Sequence, residues 1–186
     1  MKGVFVAVVG PSGAGKDSLI RYAGEHLAGT GGIVFVRRII TRPVDPASED
    51  HDTLDAAAFR RAERDGAFAL SWSAHGLDYG LPVTLEDDLA AGRVVVANLS
   101  RAVLPAMIAR YPGARIVAVT ASREVIARRL AARGRETEDA IENRLARTLD
   151  RPLPEGAVEI DNSGPLETAG ARFVDLLQQL ALPQPV

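Results

Sequence analysis

The feature that most restricts the fold is an apolar strand that runs into a glycine-rich turn and then into a helix. Val4–Val9 is continuously apolar and rich in valine, which is typical of a strand buried on both faces of a parallel sheet. The turn Gly10–Lys16 has the spacing Gly-x-x-x-x-Gly-Lys, and apolar residues recur at helical spacing over Ser18–Leu27. Strand, loop and helix together predict a phosphate-binding loop on an α/β sheet.

Each residue type in this loop suits the binding of a nucleoside triphosphate. Glycines let successive backbone N–H groups approach phosphate oxygens closely, and the helix that begins near Lys16 adds the positive end of its dipole. Lys16 is placed to bridge the β- and γ-phosphates and is therefore predicted to be catalytic. The predicted ATP-binding residues of this segment are Gly10, Pro11, Ser12, Gly13, Ala14, Gly15, Lys16, Asp17 and Ser18.

The residue after the lysine departs from the Walker A pattern, which has a serine or threonine there to hold Mg²⁺. Here Asp17 takes that position and Ser18 follows. A carboxylate is a good ligand for a hard cation, so Asp17 is one candidate for the metal; alternatively, Asp17 only favours the helix N-terminus and Ser18 holds the ion. The strand Val94–Ala97 leads into Asn98 and lacks the carboxylate that many phosphate-loop enzymes carry there, which favours Asp17.

Composition excludes several classes of protein and leaves others open. The chain has 186 residues, enough for one domain with a hydrophobic core, and no cysteine; this excludes disulfides and thiolate-bound zinc and fits a reducing cytoplasm. A net charge of −2 gives no basic field for nucleic acid. No apolar run is long enough for a membrane span or a signal peptide. The oligomeric state is not determined by the sequence.

Apolar periodicity predicts strands alternating with helices, which implies one domain (1–186) with a parallel sheet and crossover helices. Two segments interrupt the alternation, Thr41–Leu81 and Arg129–Arg147. Predicted elements include a strand over Ile33–Ile40, a polar loop over Thr41–Thr53, a helix over Leu54–Asp65, a strand over Phe68–Ala74 with a hairpin turn after it, and helices over Arg123–Ala132, Thr137–Asp150 and Pro165–Leu180. Phe59, Phe68 and Trp72 are interpreted as core, as is the stripe Leu166, Phe173, Leu176, Leu177 and Leu180.

The order and spacing of four motifs resemble those of guanylate kinases: Gly10–Lys16, Thr41-Arg42-Pro43, Tyr79-Gly80 and the arginines of Arg129–Arg147. The resemblance implies the fold of a P-loop NTPase of the nucleoside-monophosphate-kinase type. It implies that 41–81 forms the acceptor-binding region and 129–147 a lid over the nucleotide. In such a lid Arg133 and Arg144 would be catalytic, since they would stabilise the transferring phosphoryl group. Asn162 would lie near the adenine.

The acceptor region departs from that family where guanine is read. Asp45 replaces a second arginine, and His51 replaces a tyrosine. Leu70 stands where the family has a glutamate, and Leu81 where it has a threonine. A leucine cannot accept hydrogen bonds from a guanine edge, so GMP is not the expected acceptor.

The same departures resemble a narrower family, the ribose 1,5-bisphosphate phosphokinases of phosphonate catabolism. The resemblance rests on Lys16-Asp17-Ser18, Arg38–Pro43, Glu49–Asp52, Ala74–Gly80 and Asn98–Arg101. It implies ATP-dependent phosphorylation of the 1-phosphate of ribose 1,5-bisphosphate, with Mg²⁺, to give 5-phosphoribosyl 1-diphosphate and ADP. The acceptor is then a small phosphorylated sugar whose phosphate oxygen is already ionised, so no general base is needed. The predicted substrate-binding residues are Arg38, Arg42, His51, Asp52, His75, Tyr79, Asn98 and Arg101.

Three alternatives remain at this point. The chain could be a kinase for a nucleoside monophosphate or another small phosphorylated acceptor. It could be a catalytically silent binding module related to guanylate kinases, although Gly15-Lys16 and the lid arginines, which such modules usually lose, are intact. A nucleotide hydrolase or switch protein is the third, but no water-orienting glutamine or switch pattern is visible.

Overall fold

Strands and helices alternate along the part of the chain that the structure, a computed structural model, describes: residues 3–42, 51–74, 76–132 and 154–182. In chain order the elements are β1 (Val4–Val9), α1 (Lys16–His26), β2 (Ile33–Phe35), β3 (Arg38–Ile40), β4 (His51–Thr53), α2 (Ala56–Arg64), β5 (Phe68–Ala74), β6 (Leu77–Pro82), α3 (Leu85–Ala90), β7 (Val94–Asn98), α4 (Leu104–Arg110), β8 (Arg115–Thr120), α5 (Arg123–Ala132), β9 (Val158–Asp161) and α6 (Leu166–Ala181). A short 3₁₀ turn, Arg101–Val103, precedes α4.

A five-stranded parallel sheet carries the fold, in the order β2-β7-β1-β8-β9. The apolar run of β1 sits at its centre, with Val6, Val8 and Val9 fully buried, as expected for a strand covered on both faces. The chain leaves β1 toward β2 and β7 on one side and reaches β8 and β9 on the other. A crevice therefore opens at the carboxyl end of β1, which is where ligands bind in open α/β sheets.

Helices cover both faces of this sheet. On one face α1 and α6 pack through Leu19, Ala23, Phe173 and Leu177, all buried, and the predicted apolar stripe of the last helix is confirmed. On the other face the cluster includes Leu85, Leu104 and Met107. Burial of each of these leucine, phenylalanine and methionine side chains contributes about 1.5–3 kcal/mol relative to exposure. Within the described residues, no helix combines the length and the apolar character that a membrane crossing requires.

A second sheet of four strands, in the order β4-β3-β6-β5, is built from the segment that interrupts the alternation. β5 and β6 form the predicted hairpin, with Trp72 opposite Tyr79. Its outer face carries α2, where Phe59 stacks on Phe68 with ring centroids 4.6 Å apart. On this face Gly80 has no room for a side chain, because a Cβ there would lie 2.7 Å from the Phe68 ring.

Two predicted elements are corrected by the structure. The single strand expected over Ile33–Ile40 divides into β2 and β3, which belong to different sheets. Apolar periodicity describes burial along the chain and does not reveal that the partner sheet changes near Val36. The polar loop expected over Thr41–Thr53 ends in a strand, β4, which pairs with β3 in parallel; its pairing depends on backbone hydrogen bonds that polar side chains do not prevent. The helix predicted over Thr137–Asp150 lies outside the described residues.

A polar cluster between α3 and the end of α4 gives a prediction about stability. Glu86 accepts hydrogen bonds from Arg110 Nε at 2.9 Å, from Arg110 Nη2 at 2.6 Å and from the Tyr111 hydroxyl at 3.0 Å. The hydrogen bond from Arg110 holds the pKa of Glu86 below its ordinary value of 4.5. Because the pKa of Glu86 is lowered in the folded state, its carboxylate stabilises the protein at pH values above the ordinary pKa. This stabilisation is lost as the pH falls through the folded-state pKa.

Glu86→Gln is therefore expected to lower the free energy of unfolding at pH 7 by less than about 1 kcal/mol, because both partners are substantially exposed and screened by solvent. The difference from the unsubstituted protein is expected to vanish when urea denaturation is repeated at an acidic pH where Glu86 is protonated. A difference in the free energy of unfolding that stays the same at both pH values would show that the ionised Glu86 carboxylate is not the source of the stabilisation.

Candidate active site

The glycine-rich loop joins β1 to α1 at the carboxyl edge of the parallel sheet. Gly10, Gly13 and Gly15 have φ values of 151°, 87° and 91°, which residues with a side chain rarely adopt. A Cβ on Gly10 would overlap the carbonyl oxygen of Val119, and one on Gly15 would overlap the amide of Asn162. The loop is therefore packed tightly between β8 and the end of β9, and two of its glycines are required by sterics as well as by conformation.

Lys16 opens α1 and turns back over the loop. Its Nζ donates to the carbonyl oxygens of Gly10 at 2.9 Å and Pro11 at 3.1 Å. The side chain therefore holds its ammonium group over the first residues of the loop, and Lys16 itself begins the helix. A cation and a helix N-terminus next to each other form a site for phosphate oxygens.

Two side chains hold the loop from the β9 side. Asn162, buried just after β9, donates from Nδ2 to the carbonyl oxygen of Ala14 at 2.7 Å. Arg129 of α5 donates from Nη2 to the carbonyl oxygen of Asn162 at 3.0 Å and from Nη1 to that of Ala14 at 3.3 Å. Arg129 was expected to begin the lid, and the structure places its guanidinium against the loop backbone. The predicted contact of Asn162 with adenine stays a prediction.

Asp17 lies in the first turn of α1 and faces the end of β7. Asn98 Nδ2 donates to Asp17 Oδ1 at 2.5 Å, and Arg38 Nη2 lies 3.9 Å from the same oxygen. Asn98 is 5% exposed, and its Oδ1 is buried without a hydrogen-bond partner in the described part of the chain. The amide at the strand end thus orients the carboxylate that replaces the usual serine or threonine of the loop.

The oxygen atoms near the loop fit magnesium bound together with a nucleotide. Mg²⁺ in phosphoryl-transfer sites is held by one or two protein oxygens, substrate phosphates and water. Asp17 and Ser18, both half-buried at the start of α1, supply hard oxygen donors. Across residues 3–42, 51–74, 76–132 and 154–182 no three His, Asp or Glu side chains cluster closely enough to form a metal site by themselves.

The inner face of the four-stranded sheet presents polar and aromatic side chains toward this loop. Residues two apart on a strand share a face, and the register places Arg38, Tyr79 and Trp72 together. The Tyr79 and Trp72 rings stack at 5.3 Å with an interplanar angle of 6°, and Arg38 Cζ lies 5.5 Å from the Tyr79 ring centroid. His51, buried in β4, is the register partner of Arg38.

The chain resembles known proteins over most of its length. A family model described as an AAA domain matches residues 6–150. The chain is 56% identical over 185 residues to a ribose 1,5-bisphosphate phosphokinase of Chelativorans sp., covering 97% of this chain and 87% of that protein. It is 50% identical over 182 residues to one of Brucella melitensis, covering 97% and 95%. The chain belongs to the ribose 1,5-bisphosphate phosphokinase family.

A guanylate kinase from Anaplasma phagocytophilum has a similar structure, with a TM-score of 0.69 and 16% identity, covering 98% of this chain and 88% of that one. This likeness confirms the predicted P-loop kinase fold. Within that fold the family member described here carries Leu70 opposite Leu81 on the hairpin. Both are buried, at 8% and 0% exposure, and pack into the core beside the parallel sheet.

The structure brings together most of the residues that the sequence singled out and separates one. Asp17 contacts Asn98 and lies near Arg38, the Arg38 guanidinium lies over Tyr79, and Lys16 directly precedes Asp17 and contacts the loop. Asp52 instead pairs with Arg37 at 3.1 Å, and both side chains are more than half exposed. Arg42 follows β3 and Arg101 follows β7, each half-buried. His75, Arg133 and Arg144 lie outside the described residues, and their roles stay predictions.

Sequence reasoning missed one residue of this region. Trp72 was interpreted as core, and its side chain does pack against the core cluster, but its ring also stacks on Tyr79. The available signal was the hairpin turn after Ala74. Counting back from that turn pairs Trp72 with Tyr79, and cross-strand aromatic pairs on one face interact.

Proposed function

We propose that this protein transfers the γ-phosphoryl group of ATP to the 1-phosphate of ribose 1,5-bisphosphate, giving 5-phosphoribosyl 1-diphosphate and ADP. The observation that carries the proposal is the buried pair Leu70 and Leu81 on the four-stranded sheet β4-β3-β6-β5, which we call the acceptor sheet. The same sheet otherwise presents Arg38, His51 and Tyr79. The names of the relatives support the same acceptor. Because the reaction consumes ATP, the proposal also supports the predicted cytoplasmic location.

The leucine pair argues against a nucleobase. In the guanylate kinase resemblance these two positions carry the polar side chains that read guanine, and here hydrocarbon fills them and joins the core. A base placed against this surface would lose the hydrogen bonds of its polar edge to water without replacement, which is strongly unfavourable. A phosphorylated sugar has no such edge, and it needs cationic and hydrogen-bonding groups of the kind that Arg38, His51 and Tyr79 supply.

In the proposed mechanism the residues position two anions and neutralise charge. An ionised oxygen of the acceptor phosphate attacks the γ-phosphorus, the bond to the β,γ-bridging oxygen breaks, and ADP leaves. Lys16 and the loop amides bind the β- and γ-phosphates, while Arg38 holds the acceptor phosphate opposite them. Magnesium, when bound, neutralises phosphate charge, and Asp17 and Ser18 would hold it. No side chain has to remove a proton, since the attacking oxygen carries none.

A direct assay tests this proposal. The purified chain is incubated with Mg-ATP and either ribose 1,5-bisphosphate or GMP, and ADP is measured by a coupled assay. ADP formation with ribose 1,5-bisphosphate and not with GMP is the expected result. ADP formed only with GMP would make the chain a nucleoside monophosphate kinase. No ADP with either acceptor would favour the silent binding module.

The role proposed for Asp17 predicts a change in metal dependence. Asp17→Ser restores the usual loop residue but removes the carboxylate that Asn98 orients. We expect kcat to fall about 10–100-fold and more Mg²⁺ to be needed for half-maximal rate, in line with losses at metal sites. Asp88→Ser, which removes a carboxylate paired with Arg93 far from the loop, is the matched control. Full activity and unchanged Mg²⁺ dependence in Asp17→Ser would leave the metal role to Ser18.

A further inference from the structure

One guanidinium links the two halves of the site. Arg38 belongs to the acceptor sheet, but its Nη2 lies 3.9 Å from Asp17 Oδ1 in the first turn of α1. Its side chain is only 11% exposed, so its charge is poorly screened by solvent and acts strongly on neighbouring groups. The same arginine is a predicted ligand of the acceptor phosphate. One cation therefore lies beside the candidate metal ligand Asp17 and is also predicted to bind the acceptor phosphate.

A stack of aromatic rings supports this cation. Trp72 packs against the core cluster with one side and stacks on Tyr79 with its ring. Tyr79 in turn lies under the Arg38 guanidinium, 5.5 Å from its Cζ. A guanidinium over an aromatic face is stabilised by the ring quadrupole. A series of contacts therefore runs from the core through Trp72, Tyr79 and Arg38 to Asp17, beside the phosphate loop.

The distance between Arg38 and Asp17 makes the pair exchangeable. At 3.9 Å the contact is too long for a hydrogen bond, whereas Asn98 holds the same carboxylate oxygen at 2.5 Å. A phosphate that accepts hydrogen bonds from Arg38 offers stronger, charge-assisted contacts than this pair. Once Arg38 serves the phosphate, Asp17 keeps its orientation through Asn98 and loses a competing cation, so its oxygen binds Mg²⁺ better.

We propose that Arg38 couples acceptor binding to magnesium binding at Asp17, and that Trp72 acts through Tyr79 as the positioning residue for Arg38. The coupling is reciprocal: the acceptor tightens the magnesium-nucleotide complex, and magnesium at Asp17 releases Arg38 toward the acceptor. This inference rests on the proposed function, because it requires a phosphorylated acceptor and a magnesium nucleotide in the same cleft.

The coupling is measured without turnover. Binding of ADP is titrated calorimetrically with Mg²⁺ or with EDTA, each with and without saturating ribose 1,5-bisphosphate, since ADP has no phosphoryl group to transfer in this reaction. We expect ribose 1,5-bisphosphate to tighten Mg-ADP at least about fivefold, within the usual range of coupling, and to leave metal-free ADP nearly unchanged. Trp72 is the only tryptophan of the chain, so its fluorescence reports acceptor binding in the same samples.

Arg38→Met provides the decisive variant. It is expected to abolish the coupling and the fluorescence response to the acceptor, and to raise the preference for Mg-ADP over metal-free ADP in the absence of acceptor, because the competing cation is gone. Mere structural damage would not raise that preference. Arg93→Met, which breaks an exposed arginine–aspartate pair outside the site, is expected to retain the coupling of the unsubstituted protein.

Variants of the stack test the positioning role. Trp72→Leu is expected to weaken the coupling and raise the KM for the acceptor with little change in kcat, and Trp72→Phe to restore both. Coupling that persists in Arg38→Met, or that is equally large with EDTA, would overturn the proposal. If the unsubstituted protein forms no ADP from Mg-ATP and ribose 1,5-bisphosphate, the proposed function fails instead, so the two failures are distinguishable.

Discussion

Replacing Lys16 with methionine is expected to lower kcat about 10²–10³-fold, the usual loss when one group that stabilises transition-state charge is removed. In the structure the ammonium group is held at the start of the loop by the carbonyl oxygens of Gly10 and Pro11. Methionine keeps the length and apolar character of the chain but removes the cation. The KM for ATP is expected to change less than kcat, because the backbone amides of the loop still bind the phosphates.

Steady-state kinetics with ribose 1,5-bisphosphate measure this effect, and thermal unfolding checks that the variant is folded. Arg115→Met is the matched control, since Arg115 is an exposed cation at the amino end of β8, on the edge of the sheet opposite the loop. Its kcat is expected to stay within twofold, an order-of-magnitude allowance for surface changes. A Lys16→Met enzyme with nearly full kcat would remove Lys16 from the catalytic residues.

Gly10→Ala is expected to have the largest effect on stability. The backbone at Gly10 has a φ of 151°, and an alanine Cβ would overlap the carbonyl oxygen of Val119 in the neighbouring central strand. Backbone strain and overpacking each cost about 1–3 kcal/mol, so the free energy of unfolding should fall by roughly 2–6 kcal/mol. Urea denaturation measures this difference.

Gly31→Ala is the matched control for that substitution. Gly31 has no neighbouring atom within 4 Å of a Cβ built on it, and it lies in the turn before β2. Its replacement is expected to change stability by no more than about 1 kcal/mol and to stabilise if anything, because alanine reduces the freedom of the unfolded chain. Equal denaturation midpoints for the two variants would show that β8 moves to accommodate a methyl group at Gly10.

The main sheet could be predicted from the sequence because its signals are local. β1 has the predicted bounds, and its buried valines are typical of a strand covered on both faces. The hairpin of β5 and β6 was likewise visible from alternation and a turn. The four-stranded sheet was not predicted beyond that hairpin, because its other strands are short and pair with residues far away in the chain. β4, for example, is three polar residues whose strand conformation depends on β3.

The candidate site was likewise predictable only where its residues are close together in the sequence. The loop and its lysine were predicted from seven consecutive residues. The partner of Asp17 is Asn98, 81 residues away, and only the parallel register of β1 and β7 brings them together. Asp17 and Asn98 were singled out separately, yet no periodicity predicts that the amide donates to the carboxylate. The contact of Arg38 with the same oxygen depends on where one sheet sits against the other, which patterns along the chain do not contain.

The break near Val36 has a consequence for how acceptor preference can change. The chain enters the four-stranded sheet after Val36, whose N–H still donates to the carbonyl oxygen of Val96 in the parallel sheet at 2.9 Å. It leaves the four-stranded sheet at Val83, whose N–H donates to the carbonyl oxygen of Ala67 at 2.8 Å. All four strands and α2 therefore come from one uninterrupted stretch, 38–82. Recombination at the two ends of this stretch would therefore exchange the whole acceptor sheet and leave the glycine-rich loop unchanged. The incoming segment would need apolar side chains at the positions of Leu70 and Leu81, which pack into the core.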